Sequence, residues 1–207
     1  MAGIGLAVFA VAACKPSERS GLSVREDANR VVLHWNGEVE APMRERFAEA
    51  FEKFGKDPRR LVISLNSPGG SVEHGHQVIR EIRKASRERA IDTTVDKGKS
   101  CASMCVPIYL VGAERFAHPA ANFMFHEVSF RMPAQMDQTV RRQLSDPKIR
   151  KMAVNHFTNE LFEDDFGPRS VDARWLNEMR GKIRGRDVWL TGNQLMQQGS
   201  GVVDKLM

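Results

Sequence analysis

Between residues 31 and 95, short β-branched runs alternate with segments of helical period. Val31-Val32-Leu33-His34-Trp35, Leu61-Val62-Ile63-Ser64-Leu65 and Ala90-Ile91-Asp92-Thr93-Thr94-Val95 read as buried strands. Between the first two, Met43, Phe47, Phe51 and Phe54 recur on one helical face, and between the second and third Val78, Ile79 and Ile82 do the same. Such regular alternation arises when parallel strands need crossover helices, so the fold class is α/β. Further on, an apolar run over 102–111 ends at Gly112 as a buried helix closed by glycine would. Residues 135–162 form a long helical stretch broken or kinked at Pro147, and another helix runs over 171–180. Trp189-Leu190-Thr191, a helix containing Leu195 and Met196, and a final strand Gly201-Val202-Val203-Asp204 complete the chain.

A chain of 207 residues with 42% hydrophobic content can bury one compact core but not two. Its formal charge of +5 comes from residues that alternate in sign, as in Arg44-Glu45-Arg46 and Arg87-Glu88-Arg89. The locally basic stretches 148–151 and 180–186 carry no interleaved aromatics, which argues against nucleic-acid binding. The first thirteen residues are uncharged and too few to span a membrane. They end in Val11-Ala12-Ala13-Cys14, which resembles the lipobox of bacterial lipoproteins. The expected organisation is a signal segment over 1–14 with Cys14 as the acylated residue, a flexible tether over 15–29, and a single domain over 30–207. An apolar strand or helix is the other reading of the first segment, which lacks the usual Lys or Arg. With Lys rather than Asp at position 15, the anchor would lie in the outer membrane, facing the periplasm. Cys101 and Cys105 are the remaining thiols; in an oxidising compartment they can form a disulfide, or they can simply be two small buried residues. No second Cys or His pair has the spacing of a metal site, and no cofactor motif is present.

Three features carry possible chemistry. The turn Pro68-Gly69-Gly70 can adopt positive φ and expose amides suited to an oxyanion, although such a turn is commonly only a tight strand-to-helix connection. Ser103 sits at the expected start of the 102–111 helix, where it could be a nucleophile or an N-cap. His126 follows the short run Asn122-Phe123-Met124-Phe125 and could be a general base or a hydrogen-bonded core histidine.

In order along the chain, Asn36-Gly37-Glu38-Val39, Leu65-Asn66-Ser67-Pro68-Gly69-Gly70-Ser71-Val72, Ala102-Ser103-Met104, Gly112-Ala113-Glu114-Arg115-Phe116, Pro119-Ala120-Ala121 and Met124-Phe125-His126 resemble the successive signatures of the Clp protease proteolytic subunit. The resemblance covers residues 31–204, and the Cys101 to Cys105 segment with the lipobox-like start is closer still to periplasmic relatives of that subunit. It implies a Clp-protease/crotonase-like spiral of β-β-α units with C-terminal helices. It also implies Ser103 as nucleophile, His126 as general base, and the amides of Gly70 and Met104 as the oxyanion hole. The family orients its histidine with an Asp. Counting from Arg186-Asp187-Val188-Trp189-Leu190-Thr191 lands on Ile183, and counting from Ser170 lands on Asn177. Asp187 is chosen here over Asn177, Glu178 and Asp172.

The expected function is an ATP-independent serine hydrolase, a peptidase acting on flexible peptides or small acyl compounds in the bacterial envelope. No ATPase partner is expected outside the membrane, where ATP is not supplied, and Tyr109 is the sole tyrosine available for an aromatic docking surface. The resemblance also implies a homo-oligomer formed through the 135–162 stretch. The competing reading is a catalytically weak or inactive protein that uses the fold for binding or assembly. An acyl-CoA enzyme of the crotonase branch is disfavoured, because Ser103 and His126 have no required role there.

Overall fold

The computed structural model describes residues 21–129, 136–166 and 171–207. The main sheet has six strands in the order β1-β2-β3-β4-β6-β9. These are β1 (Gly21–Glu26), β2 (Arg30–Asn36), β3 (Arg60–Asn66), β4 (Ile91–Val95), β6 (Arg115–Ala117) and β9 (Lys205–Leu206). All neighbours pair in parallel except β1 and β2. A second sheet of three strands, β5 (Ser100–Ala102), β7 (Asn122–Phe125) and β8 (Val188–Thr191), has the order β5-β7-β8. The mixed α/β architecture, with parallel and antiparallel pairings, is consistent with the Clp-protease/crotonase-like fold.

The crossovers lie where the apolar spacing places them. Helix α1 (Met43–Phe54) joins β2 to β3 and buries Met43, Phe47, Phe51 and Phe54, with Phe47 between Trp35 and Phe51. Helix α2 (Val72–Ala85) joins β3 to β4 and buries Val78, Ile79 and Ile82. It is capped by Ser71, whose hydroxyl accepts from the His74 amide at 3.2 Å. Helix α3 (Cys105–Leu110) is buried along its whole length. Tyr109 in it donates to the Phe116 carbonyl, and burial holds its phenol well above the usual range.

Pro147 ends one helix and starts the next. Helix α4 (Gln138–Ser145) stops before Asp146, which is extended as a residue preceding proline prefers. Asp146 then caps α5 (Pro147–Leu161), with Pro147 in the first turn. A π-helical turn (Phe162–Phe166) continues α5, and α6 (Ala173–Lys182) and α7 (Gly192–Gln197) follow.

At both ends of the domain the boundaries differ from the sequence-based expectation. Residues 21–29, assigned to a tether, instead supply β1 and its turn into β2, with every β1 residue paired. β1 is an edge strand on which Leu22 packs on the core while Val24, two residues on along the same face, is exposed, so little of it is buried and its composition looks like a linker. At the other end, Val202 and Val203 are buried but not in a strand, which forms two residues later. The signal segment 1–14 with Cys14, and the remainder of the expected tether up to residue 20, lie outside the described residues. No helix among the described residues is long and apolar enough to cross a membrane.

Candidate active site

The site begins with two parallel strands. β5 and β7 pair with Ala102 opposite Met124, so both strands deliver their next residues to the same end of the small sheet. Ser103 leaves β5 with φ 54°, the one non-glycine residue at positive φ among the described residues. A side chain in that region costs about 1–3 kcal/mol and persists only where its surroundings impose it. Here the Ser103 amide donates to the Met124 carbonyl at 2.9 Å, and its carbonyl accepts from the Val106 amide at 2.9 Å. Ser103 therefore stands in a sharp turn ahead of α3 and does not cap it; Met104 occupies the cap position without a side-chain bond.

His126 follows β7, where alternation sends Phe123 and Phe125 into the core. Phe125 packs edge-on against Trp175 with ring centroids 5.4 Å apart, and against Phe166 at 6.1 Å. This packing fixes the end of the strand, and the His126 Nε2 lies 2.7 Å from the Ser103 Oγ. The next segment is held too, because the Val128 amide donates to the buried Thr158 hydroxyl at 2.9 Å.

The glycine turn meets the serine turn backbone to backbone. Ser67 exchanges bonds with the strand before Ser103: its amide donates to the Ser100 carbonyl at 2.8 Å and its carbonyl accepts from the Ala102 amide at 3.0 Å. Gly69 has φ 91°, and a Cβ there would lie 2.6 Å from both the Ala102 carbonyl oxygen and the Ser103 Cβ. Gly70 is held against Val39, whose amide donates to the Gly69 carbonyl while its own carbonyl accepts from Ser71. Among the described residues, neither the Gly70 amide nor the Met104 amide donates to a protein acceptor. Ser103, His126, Gly70 and Met104 line one cavity of about 50 Å³, whose remaining wall is largely apolar and includes Val72, Leu161 and Phe162. Such a place can hold an acyl group against a hydroxyl, with an imidazole on one side and two free amides on the other.

The orienting acid is not brought in. Extending the β7–β8 register one step beyond Phe125 opposite Val188 sets Asp187 across from His126. Asp187 is nevertheless exposed, and among the described residues no hydrogen bond joins it to the imidazole or gives the His126 Nδ1 a partner. Of the alternatives, Asp172 caps α6 through the Trp175 amide, Glu178 pairs with Lys182, Asn177 is exposed, and Ile183 is buried.

Cys101 and Cys105 form a disulfide, with Cα atoms 5.2 Å apart and Ser103 midway between them. One pair had no signal in the sequence: the buried Asp165 Oδ2 is 2.7 Å from the Nε2 of the half-buried His76, although the residues are 89 apart in the chain. Asp165 belongs to the π-helical turn whose Phe162 and Phe166 wall the cavity. Only coordinates could find this pair, since nothing in the spacing of either residue marks it. Among the described residues, no group of three or more His, Cys, Asp or Glu side chains is arranged to hold a metal ion.

A mixed α/β fold with a serine at a strained turn, an imidazole on its hydroxyl and a glycine turn beside both defines a hydrolase-like class of protein. The Clp protease family matches residues 36–163, more than half of the sequence, and the chain belongs to that family. It is similar to the ATP-dependent Clp protease proteolytic subunit 1 of Chlamydia muridarum, with 31% identity over 141 residues. It is also similar to the same-named subunit of Chlamydia trachomatis serovar D, with 29% identity over 140 residues. Each match covers 67% of this chain and 66% of the relative. The chain thus spans about two thirds of the length of these curated relatives. Membership supports a serine peptidase-like hydrolase at the level of the family.

Proposed function

We propose that this protein is an ATP-independent serine hydrolase, a peptidase, in which Ser103 is the nucleophile and His126 the general base. The observation that carries the reading is the 2.7 Å contact between the Ser103 Oγ and the His126 Nε2, beside the Gly70 and Met104 amides, which find no acceptor among the described residues. A neutral imidazole takes the hydroxyl proton as Oγ attacks the acyl carbon. The Gly70 and Met104 amides hold the tetrahedral oxyanion, each donor contributing about 3 kcal/mol of transition-state stabilisation. The imidazolium returns its proton to the leaving amine, and water, activated by the same imidazole, then hydrolyses the acyl-enzyme. Flexible peptides or small acyl compounds suit a narrow cavity that no ATP-driven unfolding step feeds.

The envelope is the proposed location, with Cys14 as the lipid attachment point and the domain facing the periplasm. A disulfide supports an oxidising compartment. A homo-oligomer is proposed as well, supported by the exposed apolar side chains Ile149, Met152 and Phe157 on α5.

A fluorophosphonate probe tests the catalytic reading. Folded protein gains one adduct on Ser103, and Ser103→Ala gains none. An unmodified Ser103, under conditions where a related active hydrolase reacts, rejects the proposal. That the His126 Nδ1 has no partner among the described residues favours one second reading, a binding or assembly protein with little activity. In that case Ser103→Ala leaves ligand binding and stability unchanged and the probe does not react.

A further inference from the structure

We infer that the Cys101–Cys105 bridge is a positioning element of the nucleophile turn, so that Ser103 reacts at full rate only in the oxidised protein. The inference rests on the serine-hydrolase reading above. The bridge closes over residues 102–104, and these include both the proposed nucleophile and Met104, whose amide is one of the two proposed oxyanion donors. Its two ends belong to different elements, Cys101 to β5 and Cys105 to the first turn of α3. The covalent link therefore sets how the strand enters the turn and how the helix leaves it.

The turn needs such a constraint. Ser103 is held at φ 54°, where a non-glycine residue stays only if its neighbours over-determine it. The helix that follows has six residues, too few to form a stable start by its own hydrogen bonds. Cys101 and Cys105 are fully buried, as are Val106 and Ile108 behind them. Two unbonded sulfurs cannot remain at bonding distance, and in a close-packed interior the displacement falls on the less constrained side, which is the turn facing the cavity. The sign of the effect also follows from the coordinates. The bridge coexists with the 2.7 Å Ser103–His126 contact, so it supports the reactive arrangement and does not clamp the turn in an idle one.

Reduction by a dithiol adds two electrons and two protons to the bridge, yields the Cys101 and Cys105 thiols, and oxidises the dithiol to its cyclic disulfide. The test compares the full chain before and after dithiothreitol, with the redox state read as a mass gain of about 2 Da. Fluorophosphonate labelling of Ser103 is timed well below the unfolding temperature of each form. The expected result is labelling slower by on the order of tenfold or more in the reduced protein, recovered on reoxidation, with circular dichroism unchanged. A bridge that only stabilises the fold lowers the unfolding temperature and leaves the labelling rate of folded protein unchanged, and that outcome overturns the inference. The Cys101→Ala/Cys105→Ala variant should match the reduced chain; should it fail to fold, the reduction and reoxidation of the native chain decides alone. If the oxidised protein is not labelled at all, the hydrolase reading fails, and the His126 imidazole resonances then decide the positioning claim. A shift of those resonances on reduction, with His34 and His118 unmoved, supports it; unmoved His126 resonances overturn it.

Discussion

The Asp165 carboxylate, buried in the π-helical turn, meets the His76 Nε2 of α2 at 2.7 Å. The contact fastens one wall of the cavity, through Phe162 and Phe166, to the helix that begins at the glycine turn. π-Helical insertions of this kind are commonly placed where a functional site needs a local adjustment of the ladder. His76→Ala leaves a buried carboxylate without its imidazole and should cost about 1–3 kcal/mol of stability. On the proposed function this wall would meet the substrate and not the reacting atoms, so KM for a peptide substrate should rise severalfold with kcat less affected. Denaturant unfolding and steady-state kinetics on the same preparation check both parts.

Gly69 has no room for a side chain. A Cβ would sit 2.6 Å from the Ala102 carbonyl oxygen and from the Ser103 Cβ, and its φ of 91° disfavours any L-residue. Both obstacles are backbone or backbone-proximal atoms, so Gly69→Ala must separate the two turns that build the site. The expected result is a loss of at least about 2 kcal/mol of stability and a fall in kcat/KM on the order of 100-fold or more. Gly98→Ala is the control: its φ is also positive, 73°, but nothing lies within 4 Å of the added carbon. It should pay the backbone penalty alone and retain its activity.

How far these features could be read from sequence depended on distance along the chain. The β2–α1–β3–α2–β4 alternation was legible because each element carries its own period, and Leu33, Phe47, Ile63 and Val78 are all buried where that period puts them. Ser103 and His126 were legible as candidates because short motifs surround them, and the parallel pairing of β5 with β7 brings them into contact. What stayed hidden depends on contacts between remote residues. His76 and Asp165 carry no local signal, β1 reads as a linker until β2 is beside it, and the turn at Ser103 looks like an ordinary helix start until its φ is seen. The acid was uncertain for a related reason: the chain between α6 and β8 has no periodic pattern by which to count.

Asp187 stands across from His126 by register but makes no bond to it. The loop that carries it is already tethered nearby, because the Gly185 amide donates to the Glu127 carboxylate at 2.9 Å. On this geometry the proposed site is a Ser-His dyad, and Asp187→Asn should change kcat by less than about threefold. An acid that orients the histidine during turnover would instead cost about 10⁴-fold when made an amide. Ser103→Ala sets the floor for the comparison. Measuring kcat for Asp187→Asn and Ser103→Ala with one peptide substrate separates the two cases.

The last strand is tied down by charge. The Arg115 side chain is 5% exposed, and its Nε donates to the Asp204 Oδ2 at 2.9 Å, an oxygen that also accepts the Arg115 amide at 3.0 Å. Partial burial pushes the Asp204 carboxyl up, but hydrogen bonding and charge from Arg115 outweigh it and hold the group below its ordinary value of 3.8. A carboxyl whose folded value is depressed binds its proton more weakly than the unfolded chain does. Its stabilising contribution is therefore complete above the ordinary value and is lost as pH falls through the folded one. Asp204→Asn leaves a buried guanidinium facing an amide, a cost of about 2 kcal/mol at neutral pH, set below the value for a fully enclosed pair because Asp204 is one-third exposed. The stability gap between wild type and Asp204→Asn should thus be constant from neutrality down to about pH 5 and narrow below 3.8. Thermal unfolding of both proteins across the acid range checks it, and a gap that does not narrow there would show that the anchor of β9 is packing by Val202 and Val203 and not the ion pair.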